Sequence, residues 1–120
     1  MKALIVDDSR VVRSVSGSIL DEIGIAHEQA EHGAIALEKV REQKYRFILL
    51  DWNMPEMDGM EFLVAAMNEN LLEGTDVIFC TTESEIEKIS EAIQKGASEY
   101  VMKPFDKDII EDKLKYLGII

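Results

Sequence analysis

The stretch Phe-Ile-Leu-Leu-Asp at residues 47–51 is four apolar residues that end in a carboxylate. Short, continuous apolar runs are typical of strands that are buried on both faces, as in parallel sheets. Four more short runs occur along the chain, of which the second is the least apolar: residues 3–6, 25–30, 77–80 and 98–102. The sequence therefore predicts five strands, with residues 47–50 as the most deeply buried one.

Between and after these runs, apolar residues recur at the three- and four-residue spacing of amphipathic helices. The predicted helical faces are, in order, Val11, Val12, Val15, Ile19 and Ile23; Ala34, Leu37 and Val40; Phe62, Leu63, Ala66 and Met67; Ile86, Ile89 and Ile93; and Ile110, Leu114 and Leu117. Gly24 and Gly96 stand where helices commonly end. Ser84 and Glu87 have the spacing of a capping box, so we predict that they open the fourth helix.

Five strands that alternate with helices predict an α/β fold of the (βα)5 type. Strands joined by helical crossovers must be parallel, and right-handed crossovers place helices on both faces of the sheet. The 120 residues suit one domain, spanning residues 1–120 without an effector domain. The single cysteine, Cys80, excludes an internal disulfide and is expected to be a small core residue.

The net charge of the chain makes some classes of binding partner unexpected. Lysine and arginine number 13 against 24 acidic residues, a net charge of −11. Nucleic acid and anionic lipid both attract basic surfaces, so neither is an expected partner. No signal peptide or membrane-spanning stretch is recognisable, and a cytoplasmic location is expected. His27 and His32 are expected to be surface or loop residues.

Charged and polar residues follow four of the predicted strands. Asp7 and Asp8 follow the first strand, Asp51 the third, Thr81 the fourth and Lys103 the fifth. Ligands of open parallel sheets bind outside the carboxyl ends of the strands, so we expect these side chains to share one pocket. Three adjacent carboxylates repel one another unless a cation joins them. Oxygen ligands without histidine or cysteine favour Mg²⁺, with Mn²⁺ as a substitute.

Such a pocket suits phosphoryl chemistry. An aspartate can act as a nucleophile toward phosphorus, a lysine can pair with the phosphoryl group and a threonine hydroxyl can donate to it. Structural roles remain open for the same residues. Asp7 or Asp8 could cap the first helix, although Ser9 could do so too. Thr81 and Tyr100 could simply be strand residues.

The ordered set of motifs resembles the receiver domain of bacterial two-component response regulators, and most closely its stand-alone chemotaxis members. The resemblance covers the whole chain and rests on Asp7–Asp8, D-W-N-M-P-E-M-D-G at 51–59, Thr81, and Y-V-M-K-P-F at 100–105. It implies a flavodoxin-like sheet with strand order 2-1-3-4-5. It also implies a phosphorylation switch rather than an enzyme that turns over a substrate.

Residue roles follow from the resemblance by position. Asp51 would be the phosphoacceptor, and Mg²⁺ would be bound by Asp8, Asp51 and the backbone carbonyl of Asn53, with Asp7 acting through water. Lys103 would pair with the phosphoryl group, and its peptide bond to Pro104 would be cis.

Other implied roles concern the response to phosphorylation. Thr81 would move to hydrogen-bond the phosphoryl group, and Tyr100 would swing inward behind it. Asn53, Thr82 and Glu83 occupy positions that tune phosphoryl lifetime in the family. Thr82 stands where the family usually has a smaller residue, so it could narrow access to the phosphoryl group.

The implied partners are a sensor histidine kinase as phosphoryl donor and a downstream protein target. The target would bind a monomer at helix four, strand five and helix five, where the candidate exposed contacts are Lys88, Ile89, Tyr100 and Lys113. A phosphorelay intermediate that passes the group to a histidine phosphotransfer protein remains an alternative.

Two further classes are disfavoured by single positions. A haloacid-dehalogenase-type phosphatase needs a second acid two residues after the nucleophile, where this chain has Asn53. A flavodoxin-like cofactor binder needs a phosphate-cradling loop after the first strand, where this chain has Asp7 and Asp8.

Overall fold

The computed structural model describes residues 1–120 and contains five strands and five α-helices that alternate along the chain. The strands are β1 Lys2–Val6, β2 Ala26–Ala30, β3 Phe47–Asp51, β4 Asp76–Thr81 and β5 Glu99–Met102. The helices are α1 Arg10–Ile23, α2 Gly33–Glu42, α3 Gly59–Asn68, α4 Ile89–Lys95 and α5 Lys107–Tyr116. A 3₁₀ helix, Glu83–Lys88, precedes α4. No helix is long and apolar enough to span a bilayer.

The five strands form one parallel sheet in the order β2-β1-β3-β4-β5, which confirms the predicted architecture. β3 lies at the centre, and all five of its residues are buried. β1 and β3 are neighbours, with Val6 opposite Leu50 in the register. Because both strands run the same way, the residues that follow them emerge side by side at one edge of the sheet.

Alternate residues of each strand enter two separate cores. Leu4 packs on the side of α2, α3 and α4, whereas Ala3 and Ile5 pack on the side of α1 and α5. The two clusters contain 18 and 13 buried residues, so both faces of the sheet are covered. Strands that are apolar on both faces are the direct result, since neither face meets water.

Some predicted helical faces are wrong in part. Val11 and Val15 are 72% and 49% exposed, because α1 packs through its second half, including Ile19 and Leu20. The two valines instead line an open cavity of about 400 Å³ beside Lys103. Other members of the predicted faces that the structure leaves exposed are Met67 and Ile93.

The start of the fourth helical segment also differs from the prediction. The capping box joins Thr82 and Glu85, not Ser84 and Glu87. Thr82 has the extended backbone of an N-cap directly after β4, whereas Ser84 already lies inside the 3₁₀ helix. The end of β4 at Thr81 therefore decides which of two correctly spaced pairs forms the cap.

The histidines and the cysteine have structural roles. His32 is the N-cap of α2, where its Nδ1 accepts hydrogen bonds from the backbone of Ala34 and Ile35. His27 lies half-buried in β2 with Nε2 2.9 Å from Asp21 Oδ1. Cys80 is buried in the core as predicted, and burial raises the pKa of its thiol to about 12.

Candidate functional site

The three predicted carboxylates do meet at the carboxyl edge of the sheet. Asp7 directly follows β1, Asp8 is the next residue, and Asp51 is the last residue of β3. One carboxylate oxygen from each lies within 4.8 Å of the others. Asp7 and Asp51 are buried, and Asp8 is exposed, so the cluster opens to solvent on one side. Together with Lys103, these residues are called the acidic pocket below.

Lys103, which follows β5, bridges two of the carboxylates. Its Nζ lies 3.1 Å from Asp7 Oδ2 and 2.9 Å from Asp51 Oδ1. Burial alone would lower the pKa of Lys103, but the bond to Asp51 and the charges of both aspartates raise it to about 12. The backbone N–H of Lys103 donates to the carbonyl of Thr81 at 2.6 Å, which fixes the start of this loop. Its bond to Pro104 is cis, as predicted.

The pKa of Asp51 is raised above its ordinary value. Burial is the main cause and the charge of Asp7 adds to it, while the hydrogen bond from Lys103 acts in the opposite direction. One ammonium cannot balance three carboxylates, so the fully ionised pocket carries two excess negative charges. A divalent cation with oxygen preference matches both the charge and the donor atoms, and Mg²⁺ fits this description.

The structure answers the question of which residue caps α1. Ser9 Oγ accepts from the backbone N–H of Val12 at 3.2 Å and is the N-cap. Asp7 Oδ1 accepts from the backbone N–H of Ser9 at 2.9 Å, and Arg13 Nη1 donates to the Asp7 carbonyl. Neither aspartate is the cap, and Asp7 keeps its second oxygen for Lys103.

The loop after β3 is tightly packed around the pocket. Trp52 is 3% exposed and stacks on Phe79, with ring centroids 4.1 Å apart. Lys88 Nζ lies 5.7 Å from the centroid of the Trp52 ring. A Cβ at Gly59 would overlap the carbonyl oxygen of Asp51, so only glycine fits at the start of α3. The backbone of Asp51 is thus held between its own strand and α3.

Asn53 makes a contact that the sequence did not predict. Its Nδ2 donates to Glu85 Oε2 at 2.5 Å, and Glu85 Oε1 accepts from both the backbone N–H and the hydroxyl of Thr82. Glu85 is buried, whereas Glu83 is exposed and forms none of these bonds. Two of the predicted lifetime residues, Asn53 and Thr82, are therefore joined through Glu85, a residue that the sequence analysis did not single out. The only sequence signal for these contacts of Glu85 was the Thr82-x-x-Glu85 spacing.

The predicted switch residues lie near the pocket without touching Asp51. Thr81 is fully buried, and its Oγ1 donates to the carbonyl of Thr82 at 3.2 Å. Tyr100 is half-buried in β5, with Lys113 Nζ 5.5 Å from its ring centroid. Of the four predicted surface contacts, Lys88 is exposed, and Ile89, Tyr100 and Lys113 are partly exposed.

Comparison with known proteins agrees with this geometry. The model of the response regulator receiver domain matches residues 3–115. The chain is 34% identical over 116 residues to the chemotaxis protein CheY of Pseudomonas aeruginosa, covering 96% of this chain and 94% of that protein. It is 35% identical over 115 residues to CheY-3 of Vibrio cholerae, covering 95% and 88%.

Solved structures give the same result. The chemotaxis response regulator CheY4 of Vibrio cholerae is 33% identical, with a TM-score of 0.88 over 97% of each chain. A CheY-like receiver domain protein of Methanospirillum hungatei is 28% identical, with a TM-score of 0.85 over 98% of this chain and 94% of that one. With the motifs, the strand order and the acidic pocket in agreement, the chain belongs to the response regulator receiver domain family, as a CheY-like member.

Proposed function

We propose that the chain is a phosphorylation switch of a two-component pathway, in which Asp51 accepts a phosphoryl group from a phosphohistidine of a sensor histidine kinase. One observation carries the proposal. The carboxylates of Asp7, Asp8 and Asp51 lie within 4.8 Å of one another, and Lys103 bridges the two buried ones. A buried nucleophile beside a cation and a metal-binding pair is what phosphoryl transfer to a carboxylate requires.

The proposed Mg²⁺ ligands are the carboxylates of Asp8 and Asp51 and the backbone carbonyl of Asn53, with Asp7 acting through water. The excess negative charge of the pocket and its purely oxygen donors support this assignment. When bound, Mg²⁺, or Mn²⁺ in its place, would supply positive charge between the carboxylate and the phosphoryl oxygens.

The proposed chemical step is a transfer between two protein side chains. A carboxylate oxygen of Asp51 forms a bond to phosphorus while the bond from phosphorus to the donor imidazole nitrogen breaks. The electron pair of that bond leaves with the imidazole, and an acyl phosphate is formed on Asp51. Lys103, 2.9 Å from Asp51 Oδ1, is placed to pair with the arriving phosphoryl oxygens.

The proposed response begins at Thr81. Its hydroxyl, which donates to the Thr82 carbonyl, would turn to donate to the phosphoryl group. The space that it leaves would be taken by Tyr100, which is only half-buried before the change. Such a two-state element biased by a local charge would alter the surface of α4, β5 and α5, where we place the target contacts Lys88, Ile89, Tyr100 and Lys113.

We further propose that residues 1–120 act as a single receiver domain, monomeric in the cytoplasm, whose output is another protein. Coverage of 94% of the Pseudomonas aeruginosa chemotaxis relative supports the assignment as a single receiver domain. The chemotaxis relatives also favour a protein target over a role as phosphorelay intermediate. Stable capture of the phosphorylated chain by a histidine phosphotransfer protein, with return of the group to its histidine, would favour the phosphorelay instead.

The test is intact-protein mass spectrometry after incubation with acetyl phosphate and Mg²⁺. Wild type should gain the mass of one phosphoryl group, and Asp51→Asn should gain none. Asp112→Asn, which removes an exposed carboxylate on α5 that forms no ion pair, serves as the matched control and should be labelled like wild type. Labelling of Asp51→Asn at the wild-type level contradicts the assignment of the phosphoacceptor.

A further inference from the structure

Glu85 is the one buried acid outside the acidic pocket, and its bonds link two loops. Its carboxylate accepts three hydrogen bonds, from Asn53 Nδ2 at 2.5 Å, from Thr82 N at 3.1 Å and from Thr82 Oγ1 at 3.0 Å. Glu85 is 7% exposed and forms no salt bridge in the structure. A buried carboxylate without a cation depends on its hydrogen bonds, so these three bonds hold it in place.

The donors of these bonds are close to the two parts of the site that must act together. Asn53 contributes the backbone carbonyl that we propose as a metal ligand. The N–H of Thr82 belongs to the peptide unit that directly follows the α-carbon of Thr81, whose hydroxyl we propose to move. Movement of the Thr81 backbone toward the phosphoryl group would reorient this peptide unit and break its bond to Glu85 Oε1, which is 3.1 Å long.

We propose that Glu85 is a positioning residue for the unphosphorylated state: it ties the loop after β3 to the segment after β4 and restrains Thr81, so that it slows phosphorylation. The inference rests on the proposed function and adds a residue to it. Glu85 touches none of the reacting atoms; it acts through Asn53 and Thr82. The restraint has a cost in rate, because Thr81 closes on the phosphoryl group only when the bonds to Thr82 are given up.

The test compares five variants with wild type for their rate of phosphorylation by acetyl phosphate in Mg²⁺, which is followed by the emission of Trp52. Glu85→Ala removes the acceptor of all three bonds, and the rate should rise about fivefold, as expected for the loss of one to two net hydrogen bonds. Asn53→Ala removes one bond from an exposed residue and should raise the rate about twofold. If both act through the same contact, the double variant should be no faster than Glu85→Ala alone.

Two matched variants separate positioning from charge and from folding. Glu85→Gln keeps an acceptor for Thr82 and an amide that can pair with Asn53, so it should restore a rate within about twofold of wild type. Glu87→Ala removes an exposed acid of the same 3₁₀ helix and should also match wild type. Thermal unfolding of each variant shows whether it is folded at the assay temperature.

The outcomes distinguish the two proposals. Two results would overturn the role of Glu85 and leave the proposed function standing. One is a phosphorylation rate of Glu85→Ala equal to that of Glu87→Ala. The other is a phosphorylation rate of Glu85→Gln as high as that of Glu85→Ala. Wild type that takes no phosphoryl group overturns both. If Glu85→Ala does not fold, the result for Asn53→Ala decides, because an unchanged rate in this variant contradicts the restraint.

Discussion

Lys103 Nζ lies 2.9 Å from Asp51 Oδ1 and also contacts the carboxylate of Asp7. Lys103 and Asp7 are 96 residues apart in the sequence. The Lys103 ammonium is the only cation that forms salt bridges to the carboxylates of the acidic pocket, because Arg13 contacts the backbone carbonyl of Asp7 instead. It therefore stabilises the pocket before any metal binds, and it also repels a metal that enters. The two effects have opposite consequences when Lys103 is removed.

Lys103→Met should lower the free energy of unfolding without Mg²⁺ by about 2 kcal/mol, because two buried carboxylates lose their shared counter-charge. Mg²⁺ should recover more stability in this variant than in wild type, since the competing ammonium is gone. Urea unfolding with and without saturating Mg²⁺ measures both effects. Equal Mg²⁺ stabilisation of the two proteins contradicts competition between Lys103 and the metal.

Asp51→Asn should be more stable than wild type at pH 7 in the absence of Mg²⁺. The pKa of Asp51 is raised in the fold, mainly by burial, so the stability linked to this group is present at low pH and is lost as pH rises through the folded pKa. The difference from wild type should shrink as pH falls below the ordinary carboxyl pKa of 3.8. Urea unfolding across pH checks the sign, and a variant that is less stable at pH 7 contradicts it.

The hydrogen bonds to the Glu28 carboxylate should make part of the free energy of unfolding depend on pH in the acidic range. Lys2 and Tyr45 donate to the Glu28 carboxylate and lower its pKa to about 2 from an ordinary 4.5. A lowered folded pKa means that the stability is present above pH 4.5 and is lost as pH falls toward 2. Glu28→Gln should cost about 1 kcal/mol at pH 7, after allowance for solvent screening, and little near pH 2.

The matched control for that prediction is Glu38→Gln, an exposed acid on α2 that forms no salt bridge in the structure. Its stability should follow wild type across the same pH range. Parallel stability curves for wild type and Glu28→Gln would mean that the hydrogen bonds to Glu28 add nothing to acid stability.

Gly59→Ala should disrupt the acidic pocket by displacing the backbone of Asp51. The added Cβ would overlap the Asp51 carbonyl oxygen and lie 2.9 Å from Phe79 Cε1. We expect a loss of about 2–3 kcal/mol in the free energy of unfolding and slower phosphorylation, because Asp51 must shift.

Gly74→Ala is the control for Gly59→Ala, since Gly74 has a φ of +79° but nothing within 4 Å of an added Cβ. It should cost about 1 kcal/mol through backbone strain alone and leave phosphorylation unchanged. Equal effects of the two substitutions on the phosphorylation rate would show that the close approach to Asp51 is unimportant.

Most of the fold could be predicted because its signals are local. Continuous apolar runs indicate strands covered on both faces, and parallel pairing then brings the residues after β1 and β3 to the same edge. The meeting of Asp7 and Asp51 follows from the register of Val6 opposite Leu50. The residues of the acidic pocket could thus be predicted without any side-chain coordinates.

The remainder depended on long-range packing. Helical spacing identified the apolar residues of one face of α1. It did not indicate that Val11 lies outside the core whereas Ile19 lies inside it. Both Ser84 and Thr82 begin a pair with capping-box spacing, and only the end of β4 selects Thr82. The bond from Asn53 to Glu85 joins residues 32 positions apart, which no local pattern encodes.

The most direct test of the phosphoacceptor pocket uses Trp52, the only tryptophan, which adjoins Asp51 and stacks on Phe79. Mg²⁺ is titrated first and acetyl phosphate is then added, with Asp51→Asn in parallel and mass spectrometry of each sample. We expect Mg²⁺ to change the emission, and we expect acetyl phosphate to change it again in wild type alone, together with a phosphoryl adduct. No response to either addition, with no adduct on wild type, would contradict the assignment of Asp51 and its neighbours as a phosphoacceptor site.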